Sequence, residues 1–158
     1  MSKSIKLGAQ RVYELSTVID AISPKELSVL KDIRLSAGIV KDLQNSCKEF
    51  SDKSNDLSVK QQQILRKYQE ELQPKIKDLA KEDQDKLLNE TNVKFQAEIN
   101  EKYGEEFKAM QEAGKAECTI ELSDEKYEKL KDLFNKFAIQ QYTKKDALLE
   151  VASALEIE

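Results

Sequence analysis

The residues of this 158-residue chain best suited to chemistry are carboxylates. Glu98, Glu101, Glu105 and Glu106 crowd one stretch, and on a helix side chains three and four apart are neighbours that can share a divalent ion. Lys94, Lys102 and Lys108 are interleaved with them, which makes a solvated, ion-paired face the simpler account. Asp83-Gln84-Asp85 opens like a calcium loop. Leu87 and Leu88, however, stand where an oxygen ligand and the turn glycine belong, and Lys94 replaces the closing Glu. The two thiols, Cys47 and Cys118, have no close-spaced partner, and the chain has no histidine to activate them. They read as small apolar residues packed inward. The lack of histidine also removes the commonest general base and metal ligand. None of the four glycines falls in GxGxxG or GxxxxGK spacing. Neither a catalytic residue, a metal nor a cofactor is expected.

Composition narrows the class further. Charged residues make up 35% of the chain and aromatics 6%, the balance of long helices with one apolar stripe and wet flanks. A net charge of −4, with only three scattered arginines (Arg11, Arg34, Arg66), argues against direct nucleic-acid binding, which needs clustered cations. No apolar run is long enough to span a membrane, and the opening Met1-Ser-Lys-Ser-Ile-Lys has no signal-peptide core behind it. The expected location is a cytoplasm, where both thiols stay reduced.

The elements follow from periodicity. Ser4 to Leu7 reads as a short strand broken by Gly8, and Ala9 to Ile22 as a helix with Val12, Leu15, Val18, Ile19 and Ile22 on one face. Ser23-Pro24-Lys25-Glu26 is a capping box with Pro at the first helical position, flanked by the staple pair Ile22 and Leu27. A long helix is expected from Pro24 towards Gln73, continuous through Asp52 to Ser58. Its seam is heptad-spaced through Val40, Leu43, Cys47, Phe50, Ser54, Leu57, Gln61, Ile64 and Tyr68. Pro74 places the turn, and Pro74 to Asp85 forms a polar, partly helical tip. The return helix, about Gln84 to Ala113, carries Leu88, Phe95, Ile99, Tyr103, Phe107 and Met110, with Gly114 as its stop. Ala116 to Leu122 alternates as a strand, pairing with Ser4 to Leu7, with the tail Leu155 to Glu158, or with both. Ser123 caps a helix with the stripe Tyr127, Leu130, Leu133, Phe134 and Phe137. Thr143 caps a last helix with Leu148, Val151 and Leu155.

The expected architecture is mainly α and a single domain: a coiled-coil-like antiparallel helical hairpin (24–114) on a small α+β base. The base is made of residues 1–23 and 115–158, with one to three short strands. A two-helix hairpin buries one stripe per helix, so apolar surface is left for a partner. The interaction residues expected from this are Ile64, Tyr68, Phe95, Ile99, Tyr103 and Phe107, covered by a second subunit in a homodimer or higher oligomer.

Three stretches carry a resemblance: the lead-in Leu30-Lys-Asp-Ile-Arg-Leu-Ser-Ala-Gly, the helix end Arg66-Lys-Tyr-Gln-Glu-Glu, and the acidic strand Glu117-Cys-Thr-Ile-Glu-Leu. In order and pattern the chain resembles a family of small proteins encoded by phages and prophages of low-GC Gram-positive bacteria. It departs from that pattern at Pro74 to Asp85, which is longer and more helical than a glycine-rich turn. The resemblance implies a non-enzymatic phage accessory protein in the host cytoplasm. In that setting the leading expectation is that it binds and inhibits a host defence or nucleic-acid-processing protein; the alternative is a virion or tail assembly component. Long helices joined through a small β element also resemble prefoldin-like assembly chaperones.

Overall fold

The computed structural model describes residues 2–157, which form seven helices and two strands. In order they are β1 (Ser2–Gly8), α1 (Ala9–Asp20), α2 (Pro24–Leu27), α3 (Leu30–Ser46), α4 (Lys48–Ile76), α5 (Lys81–Lys115), β2 (Glu117–Ser123), α6 (Asp124–Gln141) and α7 (Lys145–Ala154). The chain is mainly α with a small α+β part. It divides into two compact units, one of residues up to Ser51 together with those from Gln111, the other Asp52–Met110.

In the first unit β1 and β2 pair antiparallel, with Ile5 opposite Ile120 and Leu7 opposite Cys118. Alternation puts Ile5, Leu7, Ile120 and Leu122 on one buried face. A two-stranded sheet is not stable alone, and here α1, α3, α6 and α7 all pack against its strands. Val12, Leu15, Ile39, Leu43, Leu130, Val151 and Leu155 form a core closed to solvent. Ser123 caps α6 as its spacing predicts, its Oγ accepting from the Lys126 amide at 3.3 Å. Ser23 likewise accepts from the Lys25 amide at 3.3 Å.

Several expectations are corrected. The helix begun at Pro24 stops after one turn: Ser28 takes φ 68° and the Val29 amide bonds the Leu27 carbonyl at 2.9 Å, a γ-turn. Ser28 and Val29 are weak helix formers, and the turn lets Leu27 stay buried while α3 presents Ser36, Ile39, Val40 and Leu43 inward. A second break falls at Cys47. There Ser46 Oγ donates to the Asp42 carbonyl at 2.8 Å and Cys47 Sγ to the Leu43 carbonyl at 3.3 Å. Side chains that return to carbonyls four residues back bend helices. From Lys48 the helix does run unbroken through Asp52 to Ser58. Residues 24–51 thus belong with the sheet rather than with the hairpin.

The tail is not a strand. Glu156 takes φ 58°, its amide bonds the Ser153 carbonyl and the Ile157 amide the Ala152 carbonyl, so a Schellman turn ends α7; Glu158 lies outside the described residues. Nor does Thr143 cap α7, whose N-cap is Lys144 without a side-chain bond.

The second unit is an antiparallel hairpin of α4 and α5. Lys60 pairs with Glu106, Lys67 with Glu98, and Tyr68 with Phe95, so partners descend in number as α4 ascends. The turn follows Pro74 by three residues, within the expected tip: Pro74 itself sits inside the last turn of α4, where its missing amide leaves the Glu70 carbonyl without a donor close to an end whose carbonyls lack intrahelical donors anyway. The link is Lys77–Ala80, and Gln84 Nε2 donates to the Ile76 and Leu79 carbonyls at 3.0 and 3.1 Å, closing the end of α4.

Gly114 is not a helix stop either. It lies inside α5 with no positive φ, and a Cβ there would stand 3.0 Å from Phe50 Cε2. Phe50 has little room to yield, being buried edge-on against Tyr13 at 5.7 Å between centroids. A Cβ at Gly104 would meet nothing within 4 Å. Gly104→Ala should therefore stabilise by roughly 0.5–1 kcal/mol from helix propensity. Gly114→Val should destabilise by about 1–3 kcal/mol through overpacking. Urea denaturation of both variants checks the contrast; equal shifts would show that Gly114 has no packing role.

Candidate protein-interaction surface

The six residues expected to meet a partner all fall on the hairpin, but they do different things. Ile64 and Ile99 are buried by the single chain, Ile99 to 2% exposure. Tyr68 and Phe95 are half-buried and meet edge to face at 6.2 Å. Tyr103 lies half-buried under Lys60 Nζ, 5.2 Å from the ring centroid, and Phe107 is half-buried. Four of the six thus keep part of their apolar surface open.

One edge of the hairpin is electrostatic. Lys60 Nζ reaches Glu106 at 2.7 Å and Asp56 at 3.0 Å. Glu98 Oε1 accepts from Lys102 at 2.8 Å, with Lys67 at 3.8 Å. The Lys102 ammonium above all, then the Tyr68 hydroxyl, pull the Glu98 carboxyl down from 4.5 to about 2. Its Oε2 is buried without a hydrogen bond of good geometry, so Tyr68 acts on it as a nearby dipole rather than a formed bond. These carboxylates are held by lysines, and among the described residues no group of three or more His, Cys, Asp or Glu could hold a metal ion.

The other edge is apolar. Leu65 and Leu72 lie roughly half a turn around α4 from Lys60 and Lys67, and with Tyr68, Leu88 and Phe95 they line a groove of about 190 Å³. That is below the several hundred Å³ of small-molecule sites and suits inserted side chains. Gln69 and Asn92 complete its walls. Sequence periodicity found Tyr68 and Phe95. It missed Leu65 and Leu72, which lie off the heptad seam; their seven-residue spacing was the available signal.

The first unit has a recess of about 340 Å³ between α1 and the α6–α7 link, lined among others by Tyr13, Glu14, Thr17, Tyr142 and Lys144. The buried Tyr142 hydroxyl has no hydrogen-bond partner, and burial pushes its pKa up. A lone aromatic in the polar run Gln140-Gln-Tyr-Thr-Lys was the only trace of it in the sequence. Beside it Arg11 bridges Glu14 at 3.0 Å and Glu150 at 2.9 Å. Both cysteines are free thiols; Cys47 is buried, which pushes it up to about 11, and Cys118 is half-buried. No helix among the described residues is long and apolar enough to cross a membrane.

Two measurements follow. Because the Glu98 pKa is lowered in the folded state, its ion pair stabilises fully above about 4.5 and is lost as pH falls from there towards 2. Glu98→Gln should flatten the acid dependence of urea stability within that window, and an unchanged acid limb would show that Glu98 is not held by Lys102. With a disulfide-exchange reagent the native protein should expose one reactive thiol, lost in Cys118→Ala. Cys47 should react only on unfolding, and prompt reaction of two thiols would show that the Cys47 site is open. Comparison with family models, with curated proteins and with solved structures finds no match for this chain.

Proposed function

We propose that this protein works by binding another protein, without catalysing a reaction. The observation that supports this is the hairpin groove, whose apolar walls are too shallow to enclose a small molecule and wide enough to seat a row of side chains. Partly buried aromatics such as Tyr68 and Phe95 are the residue types that dominate binding energy at protein interfaces. Of the carboxylates that might have done chemistry, Glu98 and Glu106 are ion-paired with Lys60, Lys67 and Lys102.

In the phage setting that the sequence resemblance implies, the chain acts in the host cytoplasm as an accessory protein that binds and inhibits a host protein. The second reading is a virion or tail assembly component, or an assembly chaperone. The groove supports a binding role in general, and the partner separates the two. A photo-crosslinking amino acid placed at Leu88, and at Lys108 as a control, tests the reading in infected cells. Adducts to a protein at Leu88 and none at Lys108 are expected. A host protein in the adduct favours inhibition and a phage structural protein favours assembly. No adduct at Leu88 from a chain of normal helicity would overturn the binding role of this surface.

A further inference from the structure

The recess between α1 and the α6–α7 link has the volume of a small-molecule site, about 340 Å³, which the hairpin groove lacks. Buried Val18 and Ala147 give it apolar lining. Two tyrosines stand in its walls, and each ring is met edge-on by a buried phenylalanine, Tyr13 by Phe50 at 5.7 Å and Tyr142 by Phe134 at 6.1 Å between centroids. Aromatic walls of this kind suit a flat apolar ring. The lining has one carboxylate, Glu14, and one ammonium, Lys144, so it carries no net charge. Both Glu14 oxygens, moreover, already accept from Arg11 Nη1, at 3.2 and 3.0 Å. Charge therefore selects neither an anion nor a cation. Two polar groups of the lining have bonding capacity to spare. Thr17 Oγ1 gives its proton to the Tyr13 carbonyl at 3.1 Å, which leaves the oxygen free to accept. The Tyr142 hydroxyl is buried with no hydrogen-bond partner among the described residues, and burial keeps it protonated, a donor. A buried donor without an acceptor is costly to the fold.

We infer that this recess binds an uncharged aromatic carboxamide, its ring against Tyr13 and Tyr142, its carbonyl accepting from the Tyr142 hydroxyl and its N–H donating to Thr17 Oγ1. A carboxylate offers Thr17 no proton, and an ammonium offers Tyr142 no acceptor. The hydroxyl oxygen is shielded from solvent, so the Tyr142 ring turns slightly towards the recess as the ligand seats. Its edge contact with Phe134 leaves room for that rotation, since aromatic pairs are favourable over a range of separations. The site lies in the first unit, on residues that take no part in the hairpin surface, and so goes beyond the binding role proposed above.

The test is titration of the isotopically labelled full chain with benzamide, benzoate and benzylamine, followed by amide chemical shifts. Benzamide should give saturable shifts at Thr17, Tyr142 and Ala147 with a Kd at or below about 1 mM. The two charged analogues should bind at least about tenfold more weakly. Tyr142→Phe removes a hydroxyl that bonds no protein group, so the melting temperature should not fall while the Kd for benzamide rises about tenfold. Thr17→Val, at an exposed position, should weaken benzamide in the same way. Absence of saturable shifts with benzamide, or binding of either charged analogue as tightly, overturns the inference. So does a Tyr142→Phe chain that holds benzamide as well as the wild type, or one that melts lower, because the hydroxyl would then have its partner within the protein.

Discussion

The first unit depends on the pairing of its earliest residues with a strand more than a hundred positions later. Among the described residues Ser2–Gly8 and Glu117–Ser123 have no other strand to bond, and a two-stranded ribbon survives only if its apolar face is covered. Ile5, Leu7, Ile120 and Leu122 supply that face, and α1, α3, α6 and α7 bring the cover. Closing so long a loop is less costly than its length suggests, since each doubling adds only about 0.6 kcal/mol. The ladder even continues past the strands, the Ala9 amide bonding the Ala116 carbonyl at 2.8 Å. Close approach is part of the same arrangement: Gly8 and Gly114 lie so near that a Cβ on the former would stand 3.5 Å from the carbonyl of the latter.

That pairing also explains what could be read in advance. Alternation at Ile5 and Leu7 and at Ile120 and Leu122 is a period-two signal with no competing helical one, so both strands were legible and one of three pairings was realised. The stripes of α1 and α6 were legible for the same reason, being short helices with one covered face. The breaks at Ser28 and Cys47 were not. Heptad spacing runs straight through Val40, Leu43, Cys47 and Phe50, and all four are buried as it requires. What bends the chain is local competition for carbonyls by Ser46 and Cys47, which a pattern of apolar positions does not register. Gly114 misled in the opposite sense: its place near a helix end suggested a backbone role, whereas its lack of a side chain is what Phe50 needs.

The candidate site was half legible. Tyr68 and Phe95 sit on the seam, where spacing exposes them to view, while Ile64 and Ile99 on the same seam are covered by the hairpin itself. The groove arises because α4 carries a second apolar row at Leu65 and Leu72, beyond what α5 can cover. A seam pattern counts the residues that two helices need. It does not count those left over.

Charge on the hairpin is distributed by edge rather than spread evenly. Lys60 and Lys67 reach across from α4 to Glu106 and Glu98 on α5, and these cross-helix pairs favour one alignment of the two helices, because a shift of register would separate each lysine from its carboxylate. Exposed pairs add little stability, so their consequence is specificity of alignment more than strength. With register set on that edge, the opposite edge is free of the task. On α4 it carries Leu65 and Leu72, apolar surface that contributes little to holding α4 against α5. That row is the surface on which the proposed binding role rests.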